Sequence, residues 1–268
     1  MISPGRDDGE LMRVAVAGGT GLVGRHVVEA LRGAGHDPVV LARSCGVDLR
    51  SGTGLDQALT DVDVVVDVSN VLTASRRASV AFFTASTQHL LDAGRRADVG
   101  HHIALSIVGV DRVAAGYYAG KLAQEELVLA GPLPATVLRA TQFHEFAGQL
   151  LARSRGPLAV VPRMRVQPVA AREVGQALVG TILTGPAGRA PDLAGPAEHE
   201  LVDLARQVLR AHRSRRWVLP VRIPGRAGHA MASGALLPAG PGQRGRQSFA
   251  EWLAAEQRDN ASSADPRP

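Results

Sequence analysis

Two residue types that can move protons lie one helical turn apart near the middle of the chain. Tyr117 and Lys121 are four residues apart in a segment that predicts a helix ending at Gly131 and Pro132. Residues at this spacing share a helix face, so the phenol and the ammonium project together. A phenol, with a pKa of about 10, is a poor acid or base at neutral pH until an adjacent ammonium stabilises its phenolate. We therefore interpret Tyr117 and Lys121 as a catalytic pair for proton transfer.

The composition around this pair is unusual. Lys121 is the only lysine among 30 lysine and arginine residues, and Tyr117 and Tyr118 are the only tyrosines. Because every other residue of this kind is arginine, the lysine at position 121 indicates chemistry that a guanidinium does not supply. Tyr118 is the alternative proton donor, but its spacing of three residues from Lys121 fits a shared face less well than four.

The scaffold that must position this pair begins near the amino end. The apolar run over 14–17 is typical of a buried parallel strand, and a helical pattern of apolar residues starts at Leu22. Gly18, Gly21 and Gly24 allow a tight turn, close approach of backbone N–H groups to a pyrophosphate, and close packing of helix on strand. A purely structural turn is the alternative, because glycine-rich turns are common. The expected cofactor contacts are Gly18, Thr20, Gly21, Leu22, Val23 and Gly24.

The residues after the predicted second strand favour NADP over NAD. A fold that binds NAD places an acidic residue on the ribose 2′-hydroxyl at this point, whereas this chain has Arg43 and Ser44. A cation suits the 2′-phosphate of NADP, although a surface arginine in an arginine-rich chain is the alternative. Residues 46–49 then predict a short third strand. Its Asp48 either accepts a hydrogen bond from the adenine amino group or caps the turn before Ser51.

Polar residues also end two later strands of the predicted parallel sheet. Ser69 and Asn70 follow a buried fourth strand over 62–68, and Ser106 ends the fifth. Ligands of such sheets bind beyond the carboxyl ends of the strands, so we expect Ser69 and Asn70 to line the cofactor. Ser and Asn are also common where strands end, which leaves a structural role as the alternative.

The segment after the sixth predicted strand, 135–140, lies where the nicotinamide end of a cofactor would be. Gln142 and Phe143 are the expected contacts there. His144 beside them is either an acid or a loop histidine hydrogen-bonded to the backbone.

The alternation of strand and helix weakens from residue 147 onward, which predicts a smaller lobe that covers the substrate. We therefore expect one domain over 12–255, with disordered ends at 1–11 and 258–268. The elements expected in the lobe are helices over 172–183 and 199–212 and short strands near Val166, 190–193 and Val218. The arginine cluster formed by Arg206, Arg210, Arg213, Arg215 and Arg216 reads as a solvated helix face.

The bulk composition is that of an enzyme-sized globular protein, with 268 residues of which 45% are hydrophobic. No run of about 18 apolar residues occurs, so we expect no membrane span or signal peptide, no membrane partner and a cytoplasmic location. The single Cys45 is too few for an internal disulfide or a zinc site. The net charge of +5 follows a codon-driven bias toward arginine, so no nucleic-acid partner is expected. We expect a monomer or homodimer that binds a small molecule.

These motifs together resemble the short-chain dehydrogenase/reductase superfamily. Within it, they are similar to the atypical NAD(P)H-binding branch of NmrA-like proteins and relatives of isoflavone reductase. The resemblance spans about 12–255 and rests on the glycine turn, Arg43, Ser106, Tyr117-x-x-x-Lys121 and the segment from Val137 to Phe143. It implies an α/β fold, a Rossmann-type doubly wound parallel sheet with a small C-terminal substrate-covering lobe.

The resemblance also implies roles for individual residues. Tyr117 would donate a proton, Lys121 would hold the nicotinamide ribose and lower the tyrosine pKa, and Ser106 would orient a carbonyl. The main interpretation is an oxidoreductase that uses NADPH, with NAD less favoured, to reduce a carbonyl or conjugated double bond of a small apolar molecule. The alternatives are a non-catalytic NADP-sensing regulator, because many NmrA-like members lack the tyrosine, and a sugar-nucleotide epimerase or dehydratase.

Overall fold

The computed structural model describes residues 11–113 and 116–263, so the ends at 1–10 and 264–268 lie outside the described residues. The strands are β1 (Arg13–Ala17), β2 (Asp37–Leu41), β3 (Val64–Asp67), β4 (His101–Ile107), β5 (Ala135–Ala140), β6 (Leu158–Pro162), β7 (Arg165–Val166), β8 (Gly188–Arg189), β9 (Leu193–Ala194), β10 (His199–Glu200), β11 (Trp217–Val221) and β12 (Gln243–Arg244). The α-helices are α1 (Leu22–Gly33), α2 (Leu55–Ala58), α3 (Arg76–Arg96), α4 (Gly116–Ala130), α5 (Phe146–Arg153), α6 (Ala171–Thr184), α7 (Leu201–Ala211), α8 (Gly225–Ala232) and α9 (Phe249–Ser263).

The chain divides into two compact units, where the sequence predicted one domain with an appended lobe. Of the described residues, the first unit contains 11–106, 116–138 and 174–190. The second contains 107–113, 139–173 and 191–263. Most of α6 therefore belongs to the first unit, although the sequence placed it in the lobe. Gly175 allows this, because a Cβ there would come within 2.9 Å of the backbone of His26 in α1.

The first unit is built on a parallel sheet in the order β5-β4-β3-β1-β2, with β8 beside β5. Its central strands form because β1 and β3 are runs of valine and alanine buried on both faces. On one face, Ala15 and Val65 pack against Leu90 and Leu91 of α3. This Rossmann-type α/β arrangement confirms the predicted fold class, and it directs the carboxyl ends of β1, β3 and β4 to one edge.

The predicted third strand over 46–49 is wrong. The segment makes only an isolated bridge between Asp48 and Thr53, because Gly46 and Gly54 have φ values of +77° and +79° and fold it into turns. The carboxylate of Asp48 accepts a hydrogen bond of 2.8 Å from the backbone N–H of Arg50. The predicted fourth and fifth strands are therefore β3 and β4.

The second unit consists of small sheets and helices. In it, β9 pairs with Ala140 at the end of β5 and with β12, β10 pairs with β7 in antiparallel fashion, and β11 pairs with β6 in parallel. The predicted helix over 199–212 is shorter, because His199 and Glu200 form β10 before α7 begins. The last helix, α9, continues to Ser263, so the tail predicted from 258 is helical over its first six residues. No helix in the described ranges is both long and apolar enough to cross a bilayer.

Helices α3 and α4 pack closely in the first unit through a glycine and a serine. Gly120 lies against the backbone of Ser79, and a Cβ at this glycine would come within 2.6 Å of the Ser79 carbonyl carbon. The Ser79 hydroxyl donates a 2.8 Å hydrogen bond to the carbonyl of Tyr117. The position of α4, and of the residues on its first turns, therefore depends on the absence of a side chain at Gly120.

We predict that Gly120→Ala lowers the free energy of unfolding by about 1–3 kcal/mol, because the added methyl group overpacks the α3–α4 contact. Urea denaturation of the purified protein measures this change. Gly180→Ala in α6 is the control, since no atom lies within 4 Å of a Cβ built there. That helical substitution should raise stability by up to about 1 kcal/mol. Equal stability of Gly120→Ala and the unaltered protein would contradict the packing argument.

Candidate active site

Two glycines of the β1–α1 turn are needed by the protein's own packing. Gly18 has a φ of +81°, and a Cβ there would lie 2.9 Å from the Cα of Ser69. Its N–H donates to the carbonyl of Leu41 at the end of β2. Gly24, buried in α1, faces the turn so closely that a Cβ would come within 2.6 Å of the Cα of Gly19. The turn therefore joins the carboxyl ends of β1, β2 and β3.

Gly21 differs from these glycines because nothing in the protein requires it. Its φ is −77°, it is exposed, and the sole atom within 4 Å of a Cβ built there is the Gly18 carbonyl oxygen, at 3.1 Å. It is also the N-cap of α1, which has no side-chain cap and no acidic residue in its first turn. The N–H groups of this first turn, with the positive end of the helix dipole, suit an anion. The site fits a pyrophosphate.

The other residues expected at the turn also divide into exposed and packed positions. Thr20 is exposed, Leu22 is half-buried, and Val23 is buried beneath the turn. Val23 therefore contributes packing and a backbone N–H, whereas the side chain of Thr20 is accessible.

The end of β2 carries the residues predicted to distinguish the cofactors. Arg43 and Ser44 are exposed in a 3₁₀ turn directly after β2, near the carbonyl that holds Gly18. Among the described residues Arg43 makes no ion pair, so its guanidinium is available for a ligand. Asp48 has the turn-capping role that was the alternative for it, and its contact with adenine stays a prediction.

Tyr117, on the first turn of α4, reaches the residues that follow β3. Its hydroxyl donates a 2.8 Å hydrogen bond to the side-chain oxygen of Asn70. The preceding residue, Ser69, contacts Gly18 and has a buried hydroxyl with no hydrogen-bond partner among the described residues. The structure therefore brings together the glycine turn, the two polar residues after β3 and the predicted proton donor. The orphaned hydroxyl of Ser69 is a further group that a ligand could satisfy.

Lys121 is held in the interior. Its Nζ donates hydrogen bonds of 2.5 Å to the carbonyl of Leu105 and to the side-chain oxygen of Gln124, and it lies 4.8 Å from the centre of the Phe83 ring. The side chain is only 4% exposed. Burial lowers the pKa of Lys121 to about 8, and the carboxylates of Asp67 and Glu125 oppose this shift.

A buried polar network that the sequence reasoning missed surrounds this lysine. Gln124 donates through Nε2 to Asp67 at 2.7 Å, and Asp67 also accepts from the backbone N–H of Ser69. Both side chains are essentially inaccessible to solvent. Two signals for the network were present in the sequence. Asp67 is an acid inside an apolar strand, and Gln124 is three residues from Lys121 on the same helix.

Glu125 belongs to a second ion pair, which joins a buried carboxylate to a half-exposed arginine. Its carboxylate is inaccessible to solvent and accepts a 2.6 Å hydrogen bond from Arg189 of β8. This pair ties α4 to the edge of the sheet.

The two tyrosines are held in their neutral form. Burial raises the pKa of Tyr117, and the neighbouring phenol of Tyr118 raises it further. Burial also raises the pKa of Tyr118, to about 12. The sequence interpretation had Lys121 lowering the pKa of Tyr117, so the direction is the opposite of that expected. The reason is that burial of the phenol decides the direction, while the ammonium bonds to Leu105 and Gln124 instead. A neutral phenol is a proton donor rather than a base.

Ser106 is the last residue but one of β4 and follows Leu105, whose carbonyl accepts from Lys121. Its hydroxyl is buried and has no hydrogen-bond partner among the described residues. Lys121 thus bonds to the residue before Ser106 near the carboxyl end of β4, whereas the Tyr117 hydroxyl bonds to Asn70 after β3.

The second unit contains the remaining predicted residues. The side-chain amide of Gln142 is buried without a described partner, and Phe143 forms a backbone bridge to Val169. His144 is hydrogen-bonded at 3.0 Å to the carbonyl of Gln247, and burial lowers its pKa. This confirms the backbone-bonded alternative for His144. The arginine cluster is not a single solvated face, because Arg216 donates to three backbone carbonyls.

Comparisons with known proteins agree with this geometry. Residues 14–136 match the model of the NAD dependent epimerase/dehydratase family. A search of the curated proteins finds no match. Similar solved structures include MoeE5 in complex with UDP-glucuronic acid and NAD, at 18% identity and a TM-score of 0.73 over 94% of this chain and 99% of that one.

Two further structures share the fold. One is a short-chain dehydrogenase/reductase superfamily protein from Agrobacterium tumefaciens with bound NAD, 19% identical, with a TM-score of 0.67 over 94% of this chain and 98% of that one. The other is the NADPH-dependent quinone oxidoreductase QOR2 from Escherichia coli complexed with NADPH, 16% identical, with a TM-score of 0.68 over 91% and 99%.

The matched model describes epimerases and dehydratases, so assignment to the NmrA-like branch stays a prediction. Three observations agree on a dinucleotide-binding type of fold, which are the family model over 14–136, the fold shared with the solved structures, and the glycine turn with its uncapped helix. The chain has a Rossmann-type fold, and its residues 14–136 are similar to the NAD dependent epimerase/dehydratase family.

Proposed function

We propose that the protein is an NADPH-dependent reductase that acts on a carbonyl or conjugated double bond of a small apolar molecule. The observation that carries the proposal is the neutral phenol of Tyr117, held by Asn70 beside the glycine turn. Addition of hydride to a carbonyl develops an alkoxide, which needs a proton. A phenol that is protonated at neutral pH and fixed at the ligand edge of the sheet is suited to supply it.

The residues of the first unit divide the work of such a reaction. Bound NADPH would supply the hydride, and the N–H groups at the start of α1 would hold its pyrophosphate. Tyr117 donates the proton from its hydroxyl, and the buried hydroxyl of Ser106 is available to orient the acceptor. Lys121, one helical turn beyond the tyrosine, bonds to Leu105 and Gln124 and so holds the first turns of α4, from which Tyr117 projects. Asp67 favours the charged form of that lysine.

Arg43 supports NADPH as the cofactor. A guanidinium pairs bidentately with phosphate, and this one is exposed directly after β2 without an ion-pair partner in the described part of the chain. An enzyme specific for NAD would need an acceptor for the ribose hydroxyl at this point.

Two specific observations favour other functions. The ammonium of Lys121 bonds to interior acceptors and not to the phenol. This arrangement favours a sensor, which binds NADP(H) without turnover. The match of 14–136 to the epimerase/dehydratase model favours a sugar-nucleotide substrate. The reductase proposal is preferred because the tyrosine is present, neutral and placed at the ligand edge.

We predict that Gly21→Val weakens NADPH binding at least about tenfold while the protein stays folded. The backbone at Gly21 is in a region open to any residue, but the side chain would cover N–H groups whose bonds to a charged phosphate contribute about 1.5–3 kcal/mol each. Isothermal titration calorimetry measures the affinity. Gly33→Val at the other end of α1 is the matched control and should bind normally. Normal binding by Gly21→Val would place the pyrophosphate elsewhere.

Arg43→Ala should lower the preference for NADPH over NADH by about ten- to hundredfold, because one charge-assisted contact to the 2′-phosphate is lost. Titrating both cofactors against the unaltered protein and the variant measures the ratio of dissociation constants. Arg50→Ala, which removes an exposed arginine from the following turn, should leave the ratio unchanged. Equal affinities of the unaltered protein for NADPH and NADH would rule out the phosphate-binding role.

Tyr117→Phe should lower kcat at least about a hundredfold with nearly unchanged NADPH affinity, because it removes the general acid alone. Lys121→Arg should also lose activity, since a planar guanidinium does not fit the acceptors of an ammonium. NADPH consumption with a panel of ketones, quinones and enones measures turnover, and Tyr118→Phe is the matched control.

Each result in this assay separates one function from another. Full activity of Tyr117→Phe would assign the proton to Tyr118 or Lys121. Tight NADPH binding with no turnover on any acceptor would favour the sensor, and interconversion of a UDP-sugar with bound NAD would favour the epimerase.

A further inference from the structure

The second unit exposes an apolar face on its two-stranded parallel sheet. Trp217 pairs with Leu158, and Leu219 pairs with Val160, so the four side chains form one patch across β6 and β11. Their exposed fractions are 74% for Trp217, 51% for Leu158, 49% for Val160 and 46% for Leu219. We refer to these four residues as the apolar strip.

The strip is not explained by the packing of the unit. The alternate residues of β6, Ala159 and Val161, are fully buried, so the inner face of the sheet already supplies the core. A half-buried sheet normally carries polar residues on its outer face. Large apolar side chains that lie together at the surface indicate a site of interaction.

Arginines lie at both ends of the strip. Because β6 and β11 are parallel, their amino ends lie together and so do their carboxyl ends. Arg155 and Arg215 precede the strands, whereas Arg163 and Arg222 follow them, and all four are exposed. None of these four, which we call the arginine rim, forms an ion pair within the described residues.

The segments that carry the rim have no acidic residue. No Asp or Glu occurs between Glu145 and Glu173, or between Asp203 and Glu251. The strip is therefore surrounded by positive charge that its own segments do not neutralise, and a partner must bring negative charge together with apolar surface.

A cleft of about 840 Å³ continues the positive surface at the carboxyl ends of the two strands. Arg163, Arg222 and Arg206 line it, together with the carboxylates of Glu200 and Asp203. Asp203 pairs with Arg206 at 2.9 Å, so in the cleft the two rim arginines outnumber the one remaining carboxylate, that of Glu200. This cleft is large enough for a phosphate headgroup beside the apolar strip.

Two other occupants fit these observations less well. A second copy of the chain docked face to face would set arginine rim against arginine rim, and like charges repel. A nucleic acid would match the charge, but three of the four strip residues are aliphatic and offer no ring for bases to stack on.

We propose that the apolar strip and the arginine rim bind the surface of a phospholipid bilayer that carries anionic headgroups. Trp217 would lie at the boundary between headgroups and acyl chains, where its indole has both apolar and polar surroundings. The aliphatic residues would enter the outer acyl region, and the long arginine side chains would reach the phosphates. The arrangement binds a membrane from one side and does not span it.

Co-sedimentation with vesicles tests the proposal on the full-length protein. Binding to phosphatidylcholine vesicles that contain phosphatidylglycerol should exceed binding to phosphatidylcholine alone, because each rim arginine near an anionic surface contributes about fivefold. The double variant Trp217→Ser with Leu219→Ser should reduce the partition coefficient at least about tenfold. Arg215→Gln and Arg222→Gln should each weaken binding to the anionic vesicles and leave binding to pure phosphatidylcholine vesicles unchanged.

The control is Leu183→Ser, which removes an equally exposed leucine, 64% accessible, from α6 of the first unit and should bind as the unaltered protein does. The tryptophan emission should shift to the blue on vesicle addition, and Trp217→Phe should abolish the shift. Absence of binding to anionic vesicles would overturn the proposal. Unchanged vesicle binding by the double variant would also overturn it. So would a double variant that keeps vesicle binding but loses a dimer, or loses a complex with single-stranded DNA, that the unaltered protein forms.

Discussion

The buried ammonium of Lys121 is the constraint on which the site depends. A cation removed from water is stable only where acceptors and opposite charge replace the solvent. Leu105 and Gln124 supply the acceptors, and Asp67 supplies charge through Gln124. These groups lie on β4, α4 and the end of β3, so satisfying one ammonium fixes the start of α4 against two strands. Tyr117, one turn earlier, is thereby held at the ligand edge of the sheet.

The parts of this site that the sequence predicts are those carried by local spacing. The glycine turn and the Tyr117–Lys121 pair are defined within a few residues, and each lies on the element predicted for it. Two glycines explain why the segment over 46–49 failed as a strand. A short apolar stretch resembles a strand until the left-handed φ values of Gly46 and Gly54 are known. The presence of a glycine predicts a left-handed φ only weakly, because glycine adopts both signs of φ.

The electrostatics of the site could not be predicted in the same way, because they arise between residues far apart in the chain. Spacing alone pairs Tyr117 with Lys121 and predicts a lowered phenol pKa. In the fold, the ammonium instead bonds to other acceptors, and the phenol packs against Phe83 and Tyr118. Desolvation of the phenol therefore raises the pKa of Tyr117. A pKa is set by what replaces water around a group, and only the tertiary structure contains that information.

The distribution of arginine shows how placement changes the meaning of composition. As a total, the net charge of +5 predicts no partner. The fold collects arginines at both ends of one small sheet, in segments without acids, around an exposed apolar face. The alternation in β6, with Ala159 and Val161 inward, looks like that of any half-buried strand. The outer residues become a patch only through their register with β11, so neither hydropathy along the chain nor net charge could reveal it.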